Sequence, residues 1–269
     1  MSASPPPHRP PALFERDGDR YVPSRLTEGP WSSESQFGGA AAALLATMVE
    51  EVPTLVPQHV ARLTVDFLRP VPVRPLTVVR RIVREGKRIQ VMEASLLADG
   101  LEVARFSALR LRLVDLGDIP LPQGEGHPGP SLDLVRPYRD PFPNREPPGV
   151  AGAAEFAHGG DRDAFFVGPT WVRLKVGVLA GQDPSPLARL AFMADFASGI
   201  GQPRHLPVRG INADLTLSVV RYPVAEWVCF SGTGWTGAGG IGLSQAQISD
   251  EVGVAASVTL TRLVDRVAG

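Results

Sequence analysis

Ala61-Arg-Leu-Thr-Val-Asp-Phe-Leu-Arg69 and Ala213-Asp-Leu-Thr-Leu-Ser-Val-Val-Arg221 align without a gap at an offset of 152 residues. Ala, Leu, Thr and Arg coincide. The first copy alternates, with Ala61, Leu63, Val65 and Phe67 on one face and Arg62, Thr64 and Asp66 on the other. That is the pattern of a half-buried strand. A second pair follows in the same order. Ser107-Ala-Leu-Arg-Leu-Arg-Leu-Val-Asp115 matches Ser257-Val-Thr-Leu-Thr-Arg-Leu-Val-Asp265 at an offset of 150. Two matched blocks, similarly spaced, indicate an internal duplication: one architecture used twice.

Working outward, each copy has the same plan. Copy one opens with an expected helix over about Phe37 to Glu51, apolar nearly all round and therefore buried, and stopped by Pro53. Strands are expected at Val60–Leu68, Leu76–Glu85, Arg88–Ala98 and Leu101–Leu113, with hairpin turns at Glu85-Gly86 and Asp99-Gly100. Copy two begins with a strand near Phe165–Val178. Its helix, Pro186 to Phe196, is introduced by Asp183-Pro-Ser-Pro. Strands Ile211–Val220, Trp227–Thr236, Gly242–Ser249 and Val254–Val264 follow. A buried helix wrapped by an antiparallel meander is the plan of the hot-dog fold. Two copies predict an α+β tandem, or double, hot dog: two long helices wrapped by antiparallel β-sheet.

Residues 1–20 read as a flexible tail, five of the first eleven being proline. Residues 21–117 read as the first hot dog and 164–269 as the second. Nine prolines between Pro120 and Pro148 mark 118–163 as a connector laid over the surface. The 269 residues carry 27 Lys+Arg against 28 Asp+Glu, so no basic surplus exists to attract nucleic acid. No apolar run reaches the ~18–20 residues of a membrane span. The N-terminus lacks the apolar core of a signal peptide, which points to the cytoplasm. Cys229 is the sole cysteine, which rules out an internal disulfide. Only Lys87 and Lys175 are lysines, and Arg, Ala, Gly and Pro are frequent, as in a GC-rich bacterial genome.

Gln36-Phe-Gly-Gly, Val65-Asp-Phe-Leu-Arg-Pro70, Arg84-Glu-Gly-Lys-Arg-Ile-Gln-Val, Leu190-Ala-Phe-Met-Ala-Asp195 and Asn212-Ala-Asp-Leu-Thr resemble, in order and spacing, the type II acyl-CoA thioesterases. The likeness covers about 20–117 and 165–266. It implies tandem hot dogs that hydrolyse acyl-CoA-type thioesters with neither metal nor cofactor nor covalent intermediate, in fatty acid metabolism. In that family a helix Asp, a Ser or Thr at the start of the next strand, and a Gln on the last strand act on the attacking water. Asp195 matches the first. Counting back nine residues from Arg221 puts Asn212 at the second, and counting back five from Arg262 puts Ser257 at the third, two departures; a register slip of two on the last strand would offer Thr259 instead. The resemblance therefore implies two outcomes: a thioesterase, or a binder of acyl thioesters that has lost its chemistry.

Asp195 stands among Phe192, Met193, Ala194, Phe196 and Ala197. Burial there would raise its pKa toward that of a general base. The alternative is a carboxylate capping the helix end before Ser198-Gly199. Phe37, Gly38 and Gly39 begin the first helix; its free N–H groups would bind the substrate oxyanion, or the glycines simply allow tight packing. Asp214 and Thr216 fit the exposed face of a strand. Arg69, Arg80, Arg81 and Arg84 are candidates for CoA phosphates. Gly232-Thr-Gly-Trp-Thr-Gly237 matches a dinucleotide fingerprint only as a string and reads as a Gly-rich turn. No nucleophile elbow occurs, and the five histidines are scattered, which argues against a zinc cluster. His59 reads as a surface residue. A hydratase would need an Asp–His pair that does not stand out. Monomer and homo-oligomer both fit.

Overall fold

The computed structural model describes residues 11–120, 135–137, 149–158, 168–202 and 207–266. Residues 1–10, most of the connector, the expected strand start at Phe165, and His127 lie outside them. The strands are β1 (Ala12–Asp17), β2 (Arg20–Pro23), β3 (Gln58–Phe67), β4 (Leu76–Arg84), β5 (Ile89–Ala98), β6 (Leu101–Arg112), β7 (Val135–Pro137), β8 (Ala154–His158), β9 (Thr170–Leu174), β10 (Gly177–Leu179), β11 (Val208–Asn212), β12 (Asp214–Val219), β13 (Val228–Thr236), β14 (Ile241–Ser249) and β15 (Val254–Arg266). The helices are α1 (Gly38–Glu50), α2 (Val150–Ala153) and α3 (Pro186–Ala194), the last running on into a 3-10 turn, Asp195–Gly199.

α1 is buried at ten of its positions, Gly39 to Ala46, Met48 and Val49, because its alanines let other backbone approach on every side. It packs against α3, and the sheet wraps both. The meander β4–β5–β6–β3 in one half is repeated as β13–β14–β15–β12 in the other. The halves join edge to edge where β3 pairs antiparallel with β12. At the centre of that seam Thr64 faces Thr216, its own repeat, with the two Oγ1 atoms 3.4 Å apart. A local two-fold axis therefore passes between residue 64 and residue 216.

The same offset recurs in the backbone hydrogen bonds. The N–H groups of Leu68 and Arg69 both donate to Val103, and those of Val220 and Arg221 both donate to Ala255. In each case the second set follows the first by 152. The closing strands obey this register too: Thr64 pairs with Ser107 and Thr216 with Thr259. Ser107 thus corresponds to Thr259, which corrects the 150-residue offset read from the second block. A strand repeats every two residues, so a slip of two preserves its pattern and escapes a comparison of sequences.

Other expectations are also corrected. The tail does not extend to residue 20. Leu13 and Phe14 are buried, β1 forms a hairpin with β2, and β1 runs parallel to β10, tying the first segment to the second half. The connector contributes α2 and β8; β8 pairs with β9, and Phe156 is buried. The strand expected up to Val178 breaks at Lys175-Val176, because β9 continues the second sheet while β10 leaves it for β1. The strand expected over Ile211–Val220 breaks at Ala213, and β11 and β12 both pair with β15. Gly232 and Gly234 lie within β13 rather than in a turn. A Cβ at Gly232 would sit 2.2 Å from the Gln245 carbonyl oxygen, and one at Gly234 2.4 Å from that of Ile200. Close backbone approach is what these glycines allow.

Candidate active site

Asp195 is the C-cap of α3 and is 2% exposed. Its Oδ2 accepts the N–H of Gly39 at 3.0 Å, and its Oδ1 accepts Nδ2 of Asn212 at 2.6 Å. The site therefore draws on both halves: the start of α1, the end of α3, and β11. The local sequence explains the reach. Phe37 is the N-cap of α1 and has no side-chain acceptor, so the first N–H groups of the helix have no cap of their own. A carboxylate from the other half answers them and is favoured by the positive end of the helix dipole.

The space at both positions is tight, and at Gly39 the facing backbone demands glycine. A Cβ at Gly38 would lie 3.0 Å from Asp195 Oδ2 and 2.8 Å from the Phe67 ring, and one at Gly39 2.2 Å from the Phe192 carbonyl oxygen. Gly38 and Gly39 thus serve close packing, and the packing itself delivers the Gly39 N–H to the acid. Close packing is the reading of these glycines that the contacts support, and the Gly39 N–H is engaged by Asp195. The N–H of Gly38 has no acceptor among the described residues. Phe37 packs tilted on Phe196 (ring centroids 4.5 Å apart) and edge-on to Phe192 (5.5 Å), and Phe156 stands edge-on to Phe196 (4.9 Å). Burial in this surround pushes the Asp195 pKa up to about 6, against the lowering effect of the Asn212 amide and the Gly39 N–H.

Five of the six expected site residues come together: Asp195, Asn212, Phe37, Gly38 and Gly39. Ser257 does not. Asn212 pairs with Arg262 on β15, and Ser257 lies five residues from Arg262, an odd number, hence on the opposite face. It is also about 17 Å away along the strand. Ser257 lines an open cavity of about 550 Å³ on the outer surface, with Ser218, Gln247 and Ser231. Thr259 shares that outer face. The inward residues of this part of β15 are Val258, Leu260 and Arg262, all buried.

Other expectations resolve simply. Arg80 bonds Glu51 and the Met48 carbonyl, Arg81 bonds Glu93, and Arg69 bonds the Glu102 carbonyl. Asp214 accepts from the Thr261 N–H and hydroxyl, which makes it part of the strand edge. His59 is half-buried rather than on the open surface: its ring lies tilted against Tyr222 at 4.2 Å, its buried Nε2 has no partner among the described residues, and burial lowers its pKa. Among the described residues no three of His, Cys, Asp or Glu assemble as a metal site, and no helix is long and apolar enough to cross a membrane.

The family model for the acyl-CoA thioesterase N-terminal domain matches residues 27–111, and that for the C-terminal domain matches residues 125–262. The chain belongs to the acyl-CoA thioesterase family. Among curated proteins none matches the sequence. Its fold is similar to a putative thioesterase II from Thermobifida fusca YX (16% identity, 94% of this chain and 95% of that one, TM-score 0.72). It is also similar to a putative thioesterase from Novosphingobium aromaticivorans DSM 12444 (21%, 96% and 99%, TM-score 0.69) and to an acyl-CoA thioesterase II from Mycobacterium marinum (17%, 95% and 95%, TM-score 0.61). The acyl-CoA thioesterase fold is thus present over nearly the whole chain.

Proposed function

We propose that this thioesterase-family protein hydrolyses acyl-CoA-type thioesters by direct attack of water, with Asp195 as general base. The observation that carries this reading is a buried carboxylate, held between the Gly39 N–H and the Asn212 amide where the two halves meet. Each carboxylate oxygen has a second lone pair, so these two bonds leave Asp195 able to accept a water proton. As the water oxygen bonds to the thioester carbon, the proton passes to Asp195 and the carbonyl becomes an oxyanion. The N–H of Gly38 is the donor for that charge. The carbon–sulfur bond then breaks, and the thiolate recovers the proton from Asp195. Phe37 and the ring cluster around it supply the apolar wall for the acyl chain. General-base assistance of this kind is typically worth ~10²–10⁴-fold.

The test is thiol release from a panel of acyl-CoAs by the purified protein. Wild type turns over at least one chain length, and Asp195→Asn lowers its kcat by about a hundredfold or more with the fold intact by circular dichroism. A second reading, an acyl-thioester binder without turnover, is favoured by the outward position of Ser257. That reading predicts saturable acyl-CoA binding, no thiol release, and no change in affinity on Asp195→Asn.

A further inference from the structure

The duplication places one buried arginine in each half, and the two differ in their partners. At the offset of 152, Arg110 on β6 corresponds to Arg262 on β15, and both are nearly inaccessible. Arg110 donates Nη1 to the Val52 carbonyl (2.8 Å) and to Gln90 Oε1 (2.9 Å), and Nη2 to the Val49 carbonyl (2.6 Å). It closes the C-terminal end of α1. Burial lowers its pKa, while Tyr222, Glu50 and Glu85 act in the other direction.

Arg262 makes the equivalent contact with the end of α3. Its Nη1 donates to the Ser198 carbonyl at 3.0 Å, its Nη2 reaches the Leu243 carbonyl at 3.5 Å, and its buried Nε has no acceptor among the described residues. The cause is visible in the register. Gln90 is the cross-strand partner of Arg110, and at the matching place Gly242 is the partner of Arg262. The second half lacks the side chain that satisfies the guanidinium. Burial lowers the pKa of Arg262, and among the described residues no carboxylate pairs with it. A buried cation held this way costs stability relative to an apolar residue of the same size, so stability does not account for it.

Its position does. Ser198 belongs to the 3-10 turn that begins at Asp195, and the strand neighbour of Arg262 is Asn212, which holds the acid. We propose that Arg262 is a positioning residue for Asp195: it pins the far end of the turn while Asn212, beside it, holds the carboxylate. The proposal rests on Asp195 being the working acid. The elements packed on the turn include α1, α3, β14 and β15, with β8 and β11 reaching it through Phe156 and Asn212. Their ionisable residues are Glu50 at the far end of α1, Arg189 on α3, Glu155 (bonded to Arg173) and His158 on β8, Arg209 on β11, and Arg262, Asp265 and Arg266 on β15; Arg209, Asp265 and Arg266 are exposed.

Arg110 is the internal control. Arg262→Met and Arg262→Lys are compared with Arg110→Met for kcat, KM and melting temperature. A positioning role predicts a fall in kcat of tenfold or more for Arg262→Met at unchanged KM, with partial recovery in Arg262→Lys. Arg110→Met then loses melting temperature but keeps kcat within twofold. The proposal is overturned if a folded Arg262→Met keeps kcat within twofold, if Arg262→Lys does so when the Met variant fails to fold, or if Arg110→Met loses kcat equally. Should wild type show no turnover, the hydrolytic reading fails, and the carbon-13 titration of the Asp195 carboxyl decides the point. A midpoint at least half a pH unit higher in Arg262→Lys or Arg262→Met supports positioning of the acid, and an unmoved midpoint overturns it.

Discussion

The two ends of the helix pair are related by the local two-fold axis, and they are not chemically alike. At one end Asp195, closing α3, meets the start of α1. At the other, Glu50, closing α1, meets the start of α3, and its Oε2 bonds the Ser185 hydroxyl at 2.5 Å. Burial raises the pKa of both acids. The helix starts differ. α1 begins with Phe37-Gly38-Gly39 and has no cap of its own, so the acid reaches a backbone N–H. α3 begins with Ser185-Pro186; the serine accepts the Ala188 N–H at 3.0 Å, and proline offers no donor. The counterpart of Asn212 is the apolar Val60. Among the described residues, only the first end presents a buried carboxylate on a backbone N–H with a side-chain amide across from it. The other is a serine–glutamate link between the halves. Duplication supplies two equivalent places, and a few residues at the helix starts decide which one is suited to chemistry.

Breaking that asymmetry tests it. The largest effect belongs to the acids themselves: the hundredfold loss expected for Asp195→Asn should have no counterpart in Glu50→Gln, whose kcat stays within twofold of wild type in the same thiol-release assay. The helix starts come next. Gly39→Ala drives a methyl group against the Phe192 carbonyl and the Phe37 ring, at 2.2 and 2.4 Å. Relief requires α1 and α3 to separate, which costs about 1–3 kcal/mol and pulls the Gly39 N–H off Asp195. A loss of about tenfold in kcat is expected together with a lower melting temperature. Ser185→Ala at the opposite end removes a cap worth about 1 kcal/mol and leaves kcat unchanged. Equal rate losses at the two ends would dissolve the distinction.

The double hot dog was legible because its evidence is periodic: an alternating strand, an all-apolar helix, and blocks that recur in order. Asp195, Asn212 and the glycines were legible because a carboxylate and paired glycines are conspicuous in apolar helices. Ser257 was misplaced because a residue count chose it against the alternation of its own strand: Ser257, Thr259 and Thr261 share one face, Val258, Leu260 and Arg262 the buried one, and a slip of two leaves the residue facing outward. Arg262 carried a signal that passed unused, a cation on the face that β15 turns to the core, matched 152 residues earlier by Arg110. β1 and β8 were missed because each is short and lies beside a proline-rich stretch that composition reads as tail or connector. His59 was misjudged, since Tyr222 covers it from the other half of the chain.

The smallest effect concerns pH, and here Asp195 can be set against Asp250. Asp195 takes up a proton at about pH 6 in the folded chain, against 3.8 for an ordinary aspartate. Between those values the folded state binds more protons than the unfolded state, so its stability falls as pH rises through the window. Above it the ionised acid withholds about 3 kcal/mol. Asp250 has the opposite sign: burial would raise it, but Arg221 and backbone N–H groups outweigh burial and hold it at about 2, so its contribution is lost only as pH falls below 3.8. Asp195→Asn removes the first dependence and not the second. Its amide oxygen serves only one of the two donors, and the unserved donor gives back about 1–3 kcal/mol. The variant should therefore exceed wild type by about 1 kcal/mol at pH 7 and lose that advantage by pH 4, as read by urea unfolding at both values. The same titration sets the rate. Hydrolysis should rise with pH through about 6 and level off above it, because only the ionised carboxylate accepts the proton of the attacking water. A rate that is flat across pH 5–7, with stability shifted as described, would mean that Asp195 caps α1 without acting as the base.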